Sequence, residues 1–229
     1  MKLSRRDRLG LSARYREQYA RHGYAPEALG WTKGKQPIRF EVLTAPFEVE
    51  GKSILDVGCG FGDLNQALRG RARRYRYLGL DVTEELIAEA RVRYQGAAIR
   101  FRTGDFLDCD LGSRFDVVVG SGIFNINLDS GRNEAFVEAT LARAFALCRD
   151  GIAFDFLSDQ VDFRHRDTFH SSPTRVLEFA YGLSRNVLLR NDYMPFEFSV
   201  FVFKDESFDT ADTLFRRFKK LRSGGRPGA

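Results

Sequence analysis

Cysteine is scarce in this 229-residue chain: there are three, an odd number, widely scattered and never in CxxC spacing. That argues against a disulfide framework and against a structural zinc site, and it fits a reducing cytoplasm. Long apolar runs are also lacking, so no segment reads as a bilayer span. The first residues, "MKLSRRDRLGLSARYREQ", are basic but have neither an apolar h-region nor a cleavage site, and so do not read as a secretory signal. Internal repeats and a second core are absent from the pattern.

What is present suits one globular domain with a sizeable core: 43% of residues are hydrophobic and 13% aromatic. The net charge is +5 and the pI about 9.2, with arginine well ahead of lysine. Arginines cluster from Arg69 to Arg76 and near both termini. A solvated surface accounts for such clusters, and so does an anionic partner such as nucleic acid; charge alone does not separate the two.

Along the chain, residues 1–50 read as an N-terminal extension covering the active site, 51–204 as the main domain, and 205–229 as a basic helix with a tail. "SARYREQYARHGY" has helical spacing, and a short amphipathic segment runs from Ile38 to Leu43. From Ser53 onward, strand-like runs ("SILDV", "RYRYLGLD", "AIRFRTGD", "FDVVVGSG", "GIAFDFLS") alternate with helix-like ones. Among the helices, "TEELIAEARVRY" is expected to be capped by Thr83. Such alternation predicts parallel strands joined by right-handed crossovers, with helices on both faces. "NVLLRNDY" and "FEFSVFVFK", separated by a turn at Met194–Pro195, predict an antiparallel hairpin at the end of the sheet. "FDTADTLFRRFKKLR" reads as a terminal helix.

The chemistry concentrates in "ILDVGCGFGDL", residues 54–64, where a strand runs into glycines at 58, 60 and 62. Dinucleotide loops place pyrophosphate on backbone N–H groups with G-x-G-x-x-G. Here Asp63 stands where the third close-packing glycine would be, and Asp56 precedes the first. Two carboxylates disfavour a pyrophosphate and favour a cation. Asp81 ends the next strand nineteen residues after Gly62, the position from which an acid accepts ribose hydroxyls, with Val82 beside it. Asp105 ends the third strand and can accept from an exocyclic amine, while Phe106 offers a ring to a base. A ribose, an adenine and a positive charge without phosphates describe S-adenosylmethionine. Cys59 reads as a small loop residue and Phe61 as a staple for the following helix.

"ILDVGCGFGDL", "YLGLDVTEELIAEA", "RTGDFLD" and "FDVVVGSGIFN" resemble, in order and spacing, the successive motifs of class I S-adenosylmethionine-dependent methyltransferases over residues 50–203. The resemblance implies an α/β Rossmann-like sheet of seven strands in the order 3-2-1-4-5-7-6, strand 7 antiparallel. It also implies S-adenosylmethionine as cofactor and S-adenosylhomocysteine as product. Carried over by position, Asp56, Gly58, Cys59, Gly60, Phe61 and Gly62 meet the methionine end. Asp81 and Val82 meet the ribose, Asp105 and Phe106 the adenine, and Ser121 lines the pocket beneath the sulfonium. "WTKGKQPIRFEVL" and "LLRNDYMPFEFSVFVFK" further resemble a bacterial subgroup of small class I enzymes whose acceptors are mostly unassigned. In that segment Lys35 or Arg39 is expected to bind the cofactor carboxylate, and Trp31 to cover the ligand or anchor the segment.

The acceptor is less legible. An Asp/Asn-Pro-Pro-aromatic motif is missing after the fourth strand, where "GSGIFN" stands instead, and no Pro-Cys or Thr-Cys marks a cytosine nucleophile. These gaps favour a small-molecule acceptor, methylated on O or N, over nucleic acid. RNA methylation and a non-catalytic cofactor-binding subunit remain the alternatives. Residues placed to meet an acceptor are Tyr15, Tyr19, His22, Trp31, Lys35, Gln36 and Arg39, then Phe124, Asn125 and Asn127, then Asp159, His165 and His170. His165, His170 and Asn125 are the catalytic candidates, a near-neutral imidazole being suited to deprotonating a hydroxyl or amine. The i,i+5 spacing of the two histidines is wrong for one helix face, so no metal site is assigned. A membrane partner is not expected, and the pattern does not indicate an oligomeric state.

Overall fold

The computed structural model describes residues 2–30 and 34–223. Seven strands form its sheet: β1 (Ser53–Val57), β2 (Arg76–Asp81), β3 (Ile99–Thr103), β4 (Phe115–Gly120), β5 (Cys148–Leu157), β6 (Val187–Arg190) and β7 (Glu197–Phe203). Their order is β3-β2-β1-β4-β5-β7-β6. Neighbours are parallel except at β7, which runs antiparallel to both β5 and β6. Both the order and the antiparallel strand are as the motifs imply.

The apolar runs become strands because both faces of the sheet are covered. β1 is buried at all five positions and β7 at all seven. Successive side chains go to opposite faces, so the core divides with a period of two. Val118, Ile152, Val200 and Val202 pack with α5 (Asn133–Leu147) and α6 (Pro173–Leu183). Val117, Val119, Ala153, Phe201 and Phe203 pack with α2 (Gln36–Thr44) and α3 (Leu64–Arg69). Burying a side chain such as Phe198 or Phe201 completely stabilises the fold by about 1.5–3 kcal/mol each.

Residues 1–50 do not behave as one unit. Helix α2 belongs to the core, with Leu43 completely buried and Phe40 and Val42 nearly so. Helix α1 (Arg5–His22) buries only Asp7 fully, and lays Leu11, Tyr15 and Tyr19 partly buried against the core. Ion pairs fasten it to the rest, Arg6 to Asp129 and Arg16 to Glu85. The Ser130 N–H also donates to Asp7.

Three local expectations are corrected. Thr83 occupies the N-cap of α4 (Glu84–Arg93), but its buried hydroxyl makes no capping hydrogen bond to the helix. Its N–H instead donates to the Asp81 carboxylate at 2.9 Å. The last helix, α7, covers only Arg216–Ser223. Upstream of it, Asp209 and Asp212 accept the N–H groups of Ala211 and Leu214, closing local turns that compete with a helix. Finally, β5 starts at Cys148, directly after α5, three residues earlier than the apolar run suggests. Among the described residues, no helix is long and apolar enough to cross a membrane.

Candidate active site

At the carboxyl ends of the parallel strands lies a cavity of about 710 Å³. Its first wall is the glycine turn after β1. The N–H groups of Gly58 and Cys59 both donate to the Leu80 carbonyl, at 2.7 and 3.1 Å, folding the turn against the end of β2. Gly58 has φ +68°, and a Cβ there would lie 2.2 Å from the Ile123 side chain, so only glycine fits. The turn then divides. Gly58, Cys59 and Gly60 line the cavity, whereas Phe61 and Gly62 do not. Phe61 packs behind, 5.7 Å from the Tyr19 ring and 5.0 Å from Tyr24, and a Cβ on Gly62 would strike Phe101. The two therefore shape the turn from outside the cavity.

Three carboxylates form the floor. Asp81 accepts the Gly60 N–H at 3.0 Å as well as that of Thr83, tying the glycine turn to the end of β2. Burial raises its pKa against the opposing pull of these N–H groups. Asp56 accepts the Tyr77 hydroxyl at 2.6 Å. Burial, reinforced by the charges of Asp81, Asp63 and Asp155, outweighs that bond and pushes its pKa up to about 7. Asp105 accepts the Leu107 N–H, and burial raises its pKa too. Phe106 and Val82 complete this end. Asp63 lies off the wall, accepting the hydroxyls of Tyr24 and Tyr94 and so linking the N-terminal segment to α3 and α4.

The other half of the cavity lies over β4, β5 and β7. Ser121 is on the wall, but its hydroxyl donates to Asp155 at 2.5 Å, as does the Gly122 N–H at 2.6 Å. Asp155 is buried, and burial pushes its pKa up to about 6. The turn after β4 is positioned by an aromatic stack: the Phe124 ring lies 4.9 Å from Phe156, and Phe156 4.9 Å from Phe198, with the ring planes nearly parallel in each case. Anchoring Phe124 inward leaves Ile123 and Asn125 on the cavity wall. His165 is also on the wall, its ring edge-on to Phe163. His170 is not: its Nδ1 meets the Ser158 carbonyl and its Nε2 the Thr168 hydroxyl, so the ring pins the β5–α6 loop. Asp159 and Asn127 also lie off the wall, the Asn127 amide donating to the Arg166 carbonyl.

The N-terminal segment supplies the cover. Arg14, Tyr15, Gln18 and His22 from α1 and Lys35 and Gln36 at the start of α2 face the cavity. Tyr15 is pushed up to about 12 by burial and by the charge of Asp81. Tyr19 points away, donating to Glu89. Arg39 reaches the wall, yet its guanidinium meets the Glu197 carboxylate through Nε, at 2.6 Å, and through Nη2. Trp31 lies outside the described residues. Sequence reasoning missed Arg14, Gln18 and the Met194–Glu197 segment. The i,i+4 spacing of Arg14 and Gln18 marks one helix face, but nothing local marks it as the inner one.

A glycine turn, an acid at or next to the carboxyl end of each of the first three strands and a cavity at a parallel sheet's carboxyl edge suit a nucleoside-bearing cation. A family model described as a methyltransferase domain matches residues 54–149. A Mycobacterium tuberculosis protein named only as a methyltransferase is 34% identical over 158 residues, spanning 66% of this chain and 93% of that one. Among solved structures, the S-adenosylhomocysteine complex of DhpI has a TM-score of 0.63 at 21% identity, covering 87% of this chain and 97% of that one. Magnesium protoporphyrin IX methyltransferase from Synechocystis PCC 6803, with S-adenosylhomocysteine bound, has a TM-score of 0.59 at 15% identity, covering 86% and 95%. The chain belongs to the class I S-adenosylmethionine-dependent methyltransferases, and S-adenosylmethionine is its cofactor. The residues present fit that group, because three buried carboxylates of raised pKa are relieved by a cation and would repel phosphates.

Proposed function

We propose that this protein methylates an O or N atom of a small molecule in the cytoplasm. The observation that carries the reading is a single cavity whose acid-floored half suits the cofactor while its other half, over β4, β5 and β7, leaves room for an acceptor. The cofactor, when bound, supplies a methyl group already activated by its sulfonium. Asp81 would hold the ribose hydroxyls, Asp105 and Phe106 the adenine, and Gly58 to Gly60 with Asp56 the methionine end. Lys35, exposed at the start of α2, would meet the carboxylate in place of Arg39. Arg14 is the other cation on that cover.

The chain's own task is then alignment, exclusion of water and removal of one proton. Helix α1 covers the opening, Asn125 flanks the acceptor, and His165 is the one histidine placed to take a proton from an acceptor hydroxyl or amine. His22 faces the cofactor half from α1, and His170 is committed to the loop. The arginine cluster gives RNA little support, since Arg71 donates to the Phe47 carbonyl and Arg74 pairs with Glu50. Incubating the protein with methyl-labelled cofactor and fractionated cell extract tests the reading. Label in a low-molecular-mass product supports it. Label confined to RNA, or to nothing while S-adenosylhomocysteine binds, contradicts it.

A further inference from the structure

Residues 34–43 and 188–204 both lie outside the matched span 54–149. They are remote in sequence, yet they meet at one point of the cavity wall, where Arg39 pairs with Glu197. Both side chains are nearly buried, at 6% and 9% exposure, and both line the cavity. Around them Phe40, Leu157, Met194, Pro195 and Phe196 give the wall an apolar face, while the buried Asp155 lies near enough for its charge to act on both members of the pair.

Stability does not account for this pair. Taking two charges out of water costs about what their attraction returns, and well-packed apolar side chains would serve the fold as well or better. The pair also lies away from the carboxylates that suit the cofactor, in the half over β5 and β7. Resting on the methyltransferase reading, we propose that Arg39 and Glu197 form the polar recognition element of the acceptor site. Glu197 accepts a hydrogen bond from a hydroxyl on an otherwise apolar acceptor. Each carboxylate oxygen has a second lone pair beyond the one used by Arg39. The guanidinium faces both Glu197 and Asp155, so the site carries no spare positive charge for a carboxylate acceptor, and a hydroxyl is the donor it suits. The apolar surround selects an acceptor with an aromatic or alicyclic body.

The test uses two variants of the full chain. Arg39→Met with Glu197→Leu replaces the pair by apolar groups of similar size, and Glu197→Gln keeps the shape and an oxygen toward Arg39. Each is compared with the wild type for S-adenosylhomocysteine affinity by calorimetry, and for label transferred from methyl-labelled cofactor to the product found in cell extract. The expected product derives from a hydroxyl-bearing apolar molecule. Its kcat/KM should fall about a hundredfold in the double variant, the size of loss seen when a site loses a hydrogen bond to substrate, with a rise in acceptor KM for Glu197→Gln. S-adenosylhomocysteine affinity should stay within about twofold in both. Undiminished labelling in whichever variant folds, or a product whose parent has no hydroxyl, overturns the inference while leaving methyl transfer intact. No labelled product from the wild type overturns the methyltransferase reading and the inference with it.

Discussion

The carboxyl of Asp56 accepts the Tyr77 hydroxyl and sits among the charges of Asp81, Asp63 and Asp155, with burial as the largest influence on its proton affinity. Its ordinary value of 3.8 is raised to about 7 in the fold. The folded state therefore holds this proton more tightly than the unfolded chain. The stability this lends is complete below pH 3.8 and lost as pH rises through about 7. Above that, the ionised carboxylate weakens the cofactor-free protein and attracts a cationic ligand. Asp56→Asn keeps an oxygen for Tyr77 and removes the charge. It should raise the melting temperature of the cofactor-free protein at mildly alkaline pH and weaken S-adenosylmethionine binding; scanning calorimetry and titration read the two effects separately. Asp81→Ala should weaken S-adenosylhomocysteine binding by about 1–3 kcal/mol, the cost of unmatched polar groups. It also frees the Gly60 N–H, so the glycine turn should show faster amide exchange. Unchanged affinity in folded Asp81→Ala protein would place the ribose elsewhere.

Among the elements, α1 and the turn after β4 are held in opposite ways. Helix α1 crosses the opening on exposed ion pairs, which contribute little and are screened by salt, and on Tyr15 and Tyr19, which pack over Phe61. Removing residues 1–24 uncovers Phe61 and should lower the melting temperature modestly while speeding S-adenosylhomocysteine release and abolishing turnover. A cut extended to residue 40 would strip Arg39 and Phe40 from a buried helix, and should unfold the protein instead. A truncated enzyme with full turnover would remove α1 from the site. The turn after β4 hangs on Phe124, buried in its stack with Phe156 and Phe198. Phe124→Ala should cost about 3–5 kcal/mol of stability by urea titration, and loosen Asn125. These elements also show what the sequence could carry. The glycine turn, Asp81 and Asp105 were legible because each is set by a few neighbours: a strand end, a tight turn, a helix start. The pairing of Arg39 with Glu197 bridges positions 158 apart and has no local signal. His170 was indistinguishable from His165 in sequence, because only the closed β5–α6 loop brings Ser158 and Thr168 to both of its ring nitrogens.

Across the whole molecule, the sheet gathers carboxylates from β1, β2 and β3 at one edge, and the helices on both faces keep them dry. Helix α1, the start of α2 and the first residues of β7 line the remaining sides, so the cofactor half and the acceptor half share one cavity. The strand order came from the resemblance of four ordered motifs to the class I family, while strand–helix alternation by itself gave only parallel strands with a closing antiparallel hairpin. Neither could set the depth of burial, which decides the proton affinity of the acids. Burial leaves the acids short of positive charge, and that shortage is what the account assigns to the cofactor. The most direct measurement is the affinity for S-adenosylmethionine by calorimetry on both sides of pH 7, for the wild type and for Asp56→Asn. As pH rises through about 7, the wild type should bind more tightly, because the Asp56 carboxyl loses its proton, while the variant should lose most of that dependence. Equal pH dependence in the two proteins would contradict an acid-floored site that recognises its ligand by positive charge.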